Sequence, residues 1–268
     1  NNVSVGKSSL GALLTGTNNV AIGSSAMSAA DGNERENIAI GFYAGGSINN
    51  DSAYRNVFIG EYAGNGGTGA LGQSVAIGYG ALDATAENNI TGAVAIGYQS
   101  LTALTSGAGN TAVGYQALKT DDTGDQSTAI GYQSLFTQAG TDDEVGNTAV
   151  GYQAGYTNAT GFRNSYLGFQ SGKGATGNNS RNTAMGYQSL FAVTTGGNNV
   201  ALGNRAGAAI VDGTYNTAVG SQALDQCVDG VRNVSLGGLA HGNADTGNYN
   251  IAVGYQAGYV ATGDSNIT

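Results

Sequence analysis

One nine-residue phrase recurs along the whole chain and constrains the fold more than any other feature. It appears as NTAVGYQAG at Asn147–Gly155, as NTAVGYQAL at Asn110–Leu118 and as NTAMGYQSL at Asn182–Leu190. Its central glycine, which we number position 0, occurs fifteen times at intervals of 17–20 residues. Such a period indicates a stacked array with one supersecondary unit per copy. The motif glycines are Gly6, Gly23, Gly41, Gly60, Gly78, Gly97, Gly114, Gly131, Gly151, Gly168, Gly186, Gly203, Gly220, Gly237 and Gly254.

The residues before each motif glycine alternate in size. Position −1 is always aliphatic (Val, Ile, Leu or Met), and position −3 is β-branched in fourteen copies. Position −2 is Ala or Ser, except at Phe58 and Tyr166. This alternation between Asn and Gly predicts a short strand. We expect positions −3 and −1 to face a packed interior, and the small positions −2 and 0 to allow close packing against another chain.

Asn and Gly mark the ends of each unit. Asn occupies position −4 in twelve copies, which predicts a ladder of amides between coils; an ordinary turn Asn is the alternative. Several turn glycines lie at position −7, where we expect them to supply a positive φ. Seven of them are Gly16, Gly124, Gly161, Gly196, Gly213, Gly230 and Gly247.

The predicted fold is an all-β, single-domain parallel β-solenoid or β-roll of about fifteen coils over residues 1–268. At a strand spacing of about 4.8 Å, these coils would form a rod of about 70 Å. Both ends fall inside a repeat, so we expect a slice of a longer fibre without caps. A thin coil leaves much apolar area exposed unless chains associate, which favours an oligomer.

Composition argues against several classes of partner. A net charge of −9 with nine scattered basic residues excludes a phosphate-backbone partner. No apolar run approaches the ~20 residues of a membrane-spanning helix, so we expect no membrane insertion. A content of 47 glycines is often found in disordered chains, but the periodic aliphatic residues predict order.

No motif in the sequence supports catalysis or a cofactor. Gly6-Lys7-Ser8-Ser9 lacks the upstream glycine of a phosphate loop, and the glycine-rich segment 64–69 has no following helix. His241 is expected at a coil edge, and Cys227 is expected to be a passive turn residue without an intrachain disulfide. We therefore predict a non-enzymatic protein without catalytic, cofactor or metal sites. Two acidic turns could be either solvated surface turns or Ca²⁺ ligands. One contains Asp121, Asp122 and Asp125, and the other contains Asp142, Asp143 and Glu144.

The phrase Asn-Val-Ala-Ile-Gly at Asn19–Gly23, with Ser or Ala three residues after the glycine, resembles the head repeat of trimeric autotransporter adhesins. Similar glycine-rich repeats occur in bacteriophage tail fibres. The resemblance covers all fifteen copies and implies a left-handed β-roll, a homotrimer and attachment to a host surface. The adhesin unit is shorter than this one, and no stalk heptads or anchor are present, which favours the phage-fibre version.

These features predict a fibrous shaft or adhesin on a virion tail fibre or an extracellular cell surface. The longest insertion, residues 136–146, is predicted to project and to bind a host receptor, either a glycan or a protein. Tyrosine stacking on a saccharide is one way in which it could do so. Its candidate residues are Phe136, Thr137, Gln138, Asp142, Asp143 and Glu144.

Two alternatives lie outside host attachment. One is a self-assembling extracellular structural filament. The other is an ice-binding solenoid, which needs a regular threonine array. Position −3 holds Thr111, Thr128, Thr148, Thr183 and Thr217, but Val or Ile elsewhere, on a face predicted to be buried, so no thermal hysteresis is expected.

Overall fold

The computed structural model describes residues 1–66, 69, 71–84, 90–139, 145–174, 176–177, 179–243, 247–260 and 263–268. All regular elements in these ranges are strands, and all pairings between them are parallel. The chain forms two compact units: the first includes Asn1–Ile130, and the second includes Gly131–Gln138 and Val145–Thr268. The predicted fold class, an all-β parallel β-solenoid, is confirmed.

Each solenoid strand is three residues long and covers positions −3 to −1. Those of the first unit are β1 Val3–Val5, β2 Val20–Ile22, β3 Ile38–Ile40, β4 Val57–Ile59, β6 Val75–Ile77, β8 Val94–Ile96, β9 Thr111–Val113 and β10 Thr128–Ile130. Two further strands, β5 Leu71–Gly72 and β7 Ile90–Thr91, pair with each other. The second unit contains β11 Thr148–Val150, β12 Ser165–Leu167, β13 Thr183–Met185, β14 Val200–Leu202, β15 Thr217–Val219, β16 Val234–Leu236 and β17 Ile251–Val253.

Neighbouring coils pair in register, so that equivalent repeat positions lie side by side. Val20 pairs with Ile38, and Ala21 pairs with Ala39. The same register holds between β13 and β14, where Ala184 pairs with Ala201. The variation of 17–20 residues in the period is therefore absorbed in the turns, and each repeat position forms a column along the stack.

The predicted direction of the strand side chains is wrong. Position −2 is buried in every strand after β1, whereas positions −3 and −1 are exposed or half-buried. Ala149, for example, is fully buried between the exposed Thr148 and the half-buried Val150. The small column therefore faces the interior of the coil, and the β-branched and aliphatic columns face outward. The face predicted to pack against another chain is instead the core.

The interior takes alanine because the opposite wall of the coil supplies the larger side chains. Position +4 is a buried Leu or Met in many coils, including Met27, Leu82, Leu101, Leu118 and Leu190. Where position −2 is large, position +4 is glycine in the same coil and in the preceding one. A Cβ added at Gly64 would lie 2.2 Å from Phe58, and one at Gly172 would lie 2.4 Å from Tyr166. Many coils thus hold an Ala–Leu pair, and the two coils with an aromatic residue at position −2 hold glycine at position +4, because the two positions share the same interior space.

The predicted asparagine ladder is confirmed, and most of its bonds go to the backbone. Asn199 Nδ2 donates to Gly213 O at 2.7 Å, and Asn199 Oδ1 accepts from Asn216 N at 2.9 Å. The equivalent Asn182 makes the same two bonds one coil earlier. Each buried asparagine therefore fastens its coil twice to the next one, which satisfies backbone groups that would otherwise be buried without partners.

The predicted role of the turn glycines is wrong for six of the seven. Only Gly247 has φ in the left-handed range, at 153°. A Cβ at Gly213 would instead lie 2.7 Å from Gly230 O and 2.9 Å from Asn216 Nδ2. Glycine is needed at this position because a side chain would clash with the carbonyl oxygen of the next coil and with the ladder asparagine of the same coil. Positive φ recurs instead at positions −5, 0, +2 and +4, in residues such as Arg55 at 57°, Gln99 at 49° and Leu101 at 48°.

Candidate functional site

The outer face of the strands is the most distinctive surface of the protein. Outward side chains at position −1 include Ile59, Leu167 and Met185, which are each more than one third exposed. Beside them, position +1 forms a column of exposed aromatic rings. In the first unit this column contains Tyr79, Tyr98 and Tyr115; in the second it contains Tyr132, Tyr152, Phe169 and Tyr187.

The aromatic rings of this column stack on one another. In the second unit, successive centroids are 5.2, 5.0 and 5.4 Å apart, with planes within about 10° of each other. The faces of the rings are therefore occupied by neighbouring rings, and their edges are open to solvent. Saccharide stacking on a tyrosine face, which the sequence led us to consider, has no free face to use in the middle of this column.

A glutamine ladder runs beside the rings at position +2. Gln153 Nε2 donates to Gln133 Oε1 at 3.1 Å, and Gln170 Nε2 donates to Gln153 Oε1 at 3.2 Å. Gln188 continues the ladder with a 3.0 Å bond to Gln170. The Tyr-Gln pair, which had no assigned role in the sequence, thus forms two parallel side-chain ladders that connect successive coils.

The predicted recognition segment begins inside the coil. Phe136 stacks on Tyr156 at 5.2 Å, and the Thr137 hydroxyl donates to Tyr156 O at 3.0 Å. Gln138 is fully buried, and its Oε1 accepts from Asn147 Nδ2 at 2.9 Å. The prediction of a projecting loop is therefore wrong for Gln138. Asp142, Asp143 and Glu144 lie outside the described residues, so their part of the prediction is untested.

The described acidic turn has a structural role. Asp121 is fully buried, and its Oδ1 accepts from Gly124 N at 3.0 Å. Asp125 Oδ1 accepts from Ala108 N in the preceding coil at 2.6 Å. Asp121 therefore caps a backbone amide of its own turn, and Asp125 connects its turn to the preceding coil. Across the described ranges, no three His, Cys, Asp or Glu side chains are grouped closely enough to hold a metal ion.

His241 and Cys227 both lie in the interior, and the prediction of a coil-edge position for His241 is wrong. Cys227 lies between strands, as expected for a turn residue. His241 occupies the +4 position that holds leucine elsewhere, and its Nδ1 lies 2.8 Å from the hydroxyl of Ser235. Ser235 stands at position −2, so the two polar residues replace an Ala–Leu pair. Burial lowers the pKa of His241 below its ordinary value. Cys227 is buried at position +7 as a small apolar residue.

One cleft in the second unit contains an ion pair. It has a volume of about 310 Å³ and is lined by Gln188, Phe191, Arg205 and Asp225, among others. Arg205 Nη2 lies 3.2 Å from Asp225 Oδ2, and Asp225 is almost fully buried. The guanidinium pairs with the carboxylate, and the remaining lining residues are Gln188, Phe191, Ala192, Ala208, Ala209 and Gln226.

The threonines at position −3 belong to the outward face, so the prediction that they are buried is wrong. Thr148 and Thr183 are exposed, and Thr217 is half-buried. The intervening coils carry Ser165, Val200 and other residues in the same column. The column is thus not a uniform threonine array, and the expectation of no thermal hysteresis stands as a prediction.

The described residues include no helix that is long and apolar enough to span a bilayer. No protein-family model, curated protein or solved structure matches the chain.

Proposed function

We propose that this chain is a non-enzymatic fibrous shaft, built from several parallel copies, that belongs to a virion tail fibre or an extracellular adhesin. The observation that carries the proposal is the continuous use of buried polar groups for coil stacking. Asn147, Asn164, Asn182 and Asn199 each bind the next coil rather than converging on a pocket. Such an arrangement suits a long, stiff shaft, because every coil contacts mainly its neighbours.

Host attachment is the role that the repeat resemblance implies, and turns are the segments able to perform it. The strand columns and ladders are fixed by packing, whereas turns tolerate changes in length and sequence. We therefore place receptor contact on the turns, and residues 140–144 are the first segment to test. The receptor would be a glycan or a protein on the host surface, and the assembly would be a homotrimer.

Deletion of whole coils tests the shaft. Removing residues 199–249, which are three complete repeats, joins Asn198 to Asn250 and keeps the order of positions −5 and −4. The shortened protein should remain folded by far-UV circular dichroism, and its particles in electron micrographs should be shorter by about 14 Å, three strand spacings. Loss of the fold would contradict the proposal, because a shaft of interchangeable coils tolerates such a deletion.

Replacement of residues 140–144 with a Gly-Ser linker of equal length tests recognition by this segment. The substitution leaves Phe136, Thr137 and Gln138 in place, so the coil should remain intact. Adsorption of the labelled protein to host cells should fall if this segment contacts the receptor. Unchanged adsorption would assign recognition to other turns, whereas large concentration-dependent fibres without adsorption would favour the alternative of a structural filament.

A further inference from the structure

The outward face of the solenoid strands has the composition of a buried interface. Positions −4 to 0 contain no Asp, Glu, Lys or Arg in any of the fifteen copies, although the chain has 27 such residues. A solvated face of a sheet normally carries polar side chains, and the cores of protein interfaces are depleted in charge. Here the outward columns are Val, Ile, Leu, Met and Thr, with the aromatic column beside them.

The exposed apolar area of each unit is a large part of what a stable interface needs. In the second unit, Leu167, Met185, Val200 and Leu236 are 36–48% exposed, and the four stacked rings are 41–47% exposed. With about 200 Å² for a full aromatic side chain and about 120 Å² for an aliphatic one, these residues leave about 550 Å² open. The first unit repeats the same columns with a similar area. In each unit by itself, this is about two thirds of the ~800 Å² that one partner contributes to a standard interface, before the half-buried side chains of the same columns are added.

We infer that this face packs against the same face of other copies of this chain. The inference rests on the proposed multi-copy shaft and names the surface that assembles it. The apolar columns recur once per coil in both units, so a partner must present complementary groups at the same spacing. A second copy, aligned with the first, presents its own columns at that spacing in every coil. The outward strand columns at positions −3 and −1 also contain no charge to oppose a like charge on the partner.

A local hollow on this face can hold one side chain of the neighbouring copy and so set how the two copies are aligned. On strands β11–β13 an apolar hollow of about 270 Å³ is lined by Thr148, Val150, Ser165, Leu167 and Met185, among others. Ser165 is smaller than the β-branched residues that occupy its column elsewhere, which opens the hollow. An aliphatic side chain of the neighbouring copy fits this volume, as knobs fit holes in well-packed interfaces.

The test compares charge on this face with charge on a turn. The double variant Leu167→Glu/Met185→Glu places carboxylates on the inferred interface, and Val228→Glu alters a turn side chain of similar exposure. Light scattering coupled to size exclusion should give about 80 kDa for the unaltered chain and for Val228→Glu. The double variant should elute at 26.6 kDa with an unchanged circular dichroism spectrum. Its dissociation constant should rise at least a hundredfold.

The possible outcomes separate the two proposals. If the double variant keeps the mass of the unaltered chain, copies associate through another surface; this overturns the interface but leaves the multi-copy shaft. If the unaltered chain is itself 26.6 kDa at micromolar concentration, both the interface and the multi-copy shaft fail. If the double variant unfolds, Leu167→Ser/Met185→Ser, which adds no charge, should weaken association at least tenfold, and equal association would overturn the inference.

Discussion

Removal of one ladder asparagine should cost far more stability than removal of an exposed asparagine of the same coil. The substitution Asn199→Ala deletes the donor to Gly213 O and the acceptor of Asn216 N, at 2.7 and 2.9 Å. Asn216 is 1% exposed, so water cannot replace the lost partner. The substitution therefore leaves one buried carbonyl and one buried N–H without the side chain that satisfied them.

The magnitude follows from those two orphaned groups. A buried donor or acceptor left without a partner costs about 1–3 kcal/mol, so the pair should cost about 2–6 kcal/mol. Asn204→Ala is the matched control, because Asn204 is exposed and lies five residues later in the same coil. Its replacement should change the free energy of unfolding by less than about 0.5 kcal/mol.

Urea denaturation followed by far-UV circular dichroism measures both values, with hydrogen exchange of the Asn216 amide as a local probe. The exchange of this amide should accelerate strongly in Asn199→Ala and remain slow in Asn204→Ala. If the two variants unfold at the same urea concentration, the asparagine ladder does not hold the coils together, and the reasoning is refuted.

Two further predictions concern the interior. Gly172→Leu should destabilise the protein by several kcal/mol, since its Cβ would lie 2.4 Å from Tyr166; Tyr166→Ala should cost about 3–5 kcal/mol through a cavity. The double variant recreates the Ala–Leu pair of other coils and should be more stable than either single variant by urea denaturation; a strictly additive loss would contradict the packing. Burial favours neutral His241 and lowers its pKa, so its contribution to stability should be complete above about pH 6.5 and decline as the pH falls below that value. In Ser235→Ala/His241→Leu this decline between pH 7 and 5 should shrink, and an equal decline in both proteins would assign it to other groups.

The period and the parallel stacking could be predicted because both follow from the spacing of the motif glycines. The alternation could not predict which side chains of each strand point inward, because a period of two defines two faces without showing which one is buried. A signal was nevertheless present: Phe58 and Tyr166 stand at position −2, and glycine stands at +4 in their coils. That compensation is needed only if position −2 points inward, where the two side chains compete for the same space.

The turns were harder to predict than the strands. Glycine at position −7 was expected to supply a positive φ, but at Gly213 its requirement comes from the carbonyl oxygen of Gly230 in the next coil and from the side chain of Asn216. Conversely, Gln99 and Leu101 adopt left-handed backbone angles without being glycine. Their neighbours in adjacent coils make the same turn, and the ladders stabilise a conformation that costs each residue about 1–2 kcal/mol.

The inward direction of position −2 is the central claim, and a pair of adjacent substitutions tests it most directly. Ala218 is fully buried, and its neighbour Val219 faces outward. Measured by urea denaturation, Ala218→Leu should lower the free energy of unfolding by about 1–3 kcal/mol or more, because it overpacks the coil. Val219→Leu should change it by less than about 0.5 kcal/mol. The reverse order, with Val219→Leu costly and Ala218→Leu neutral, would place the aliphatic column inside and contradict the account.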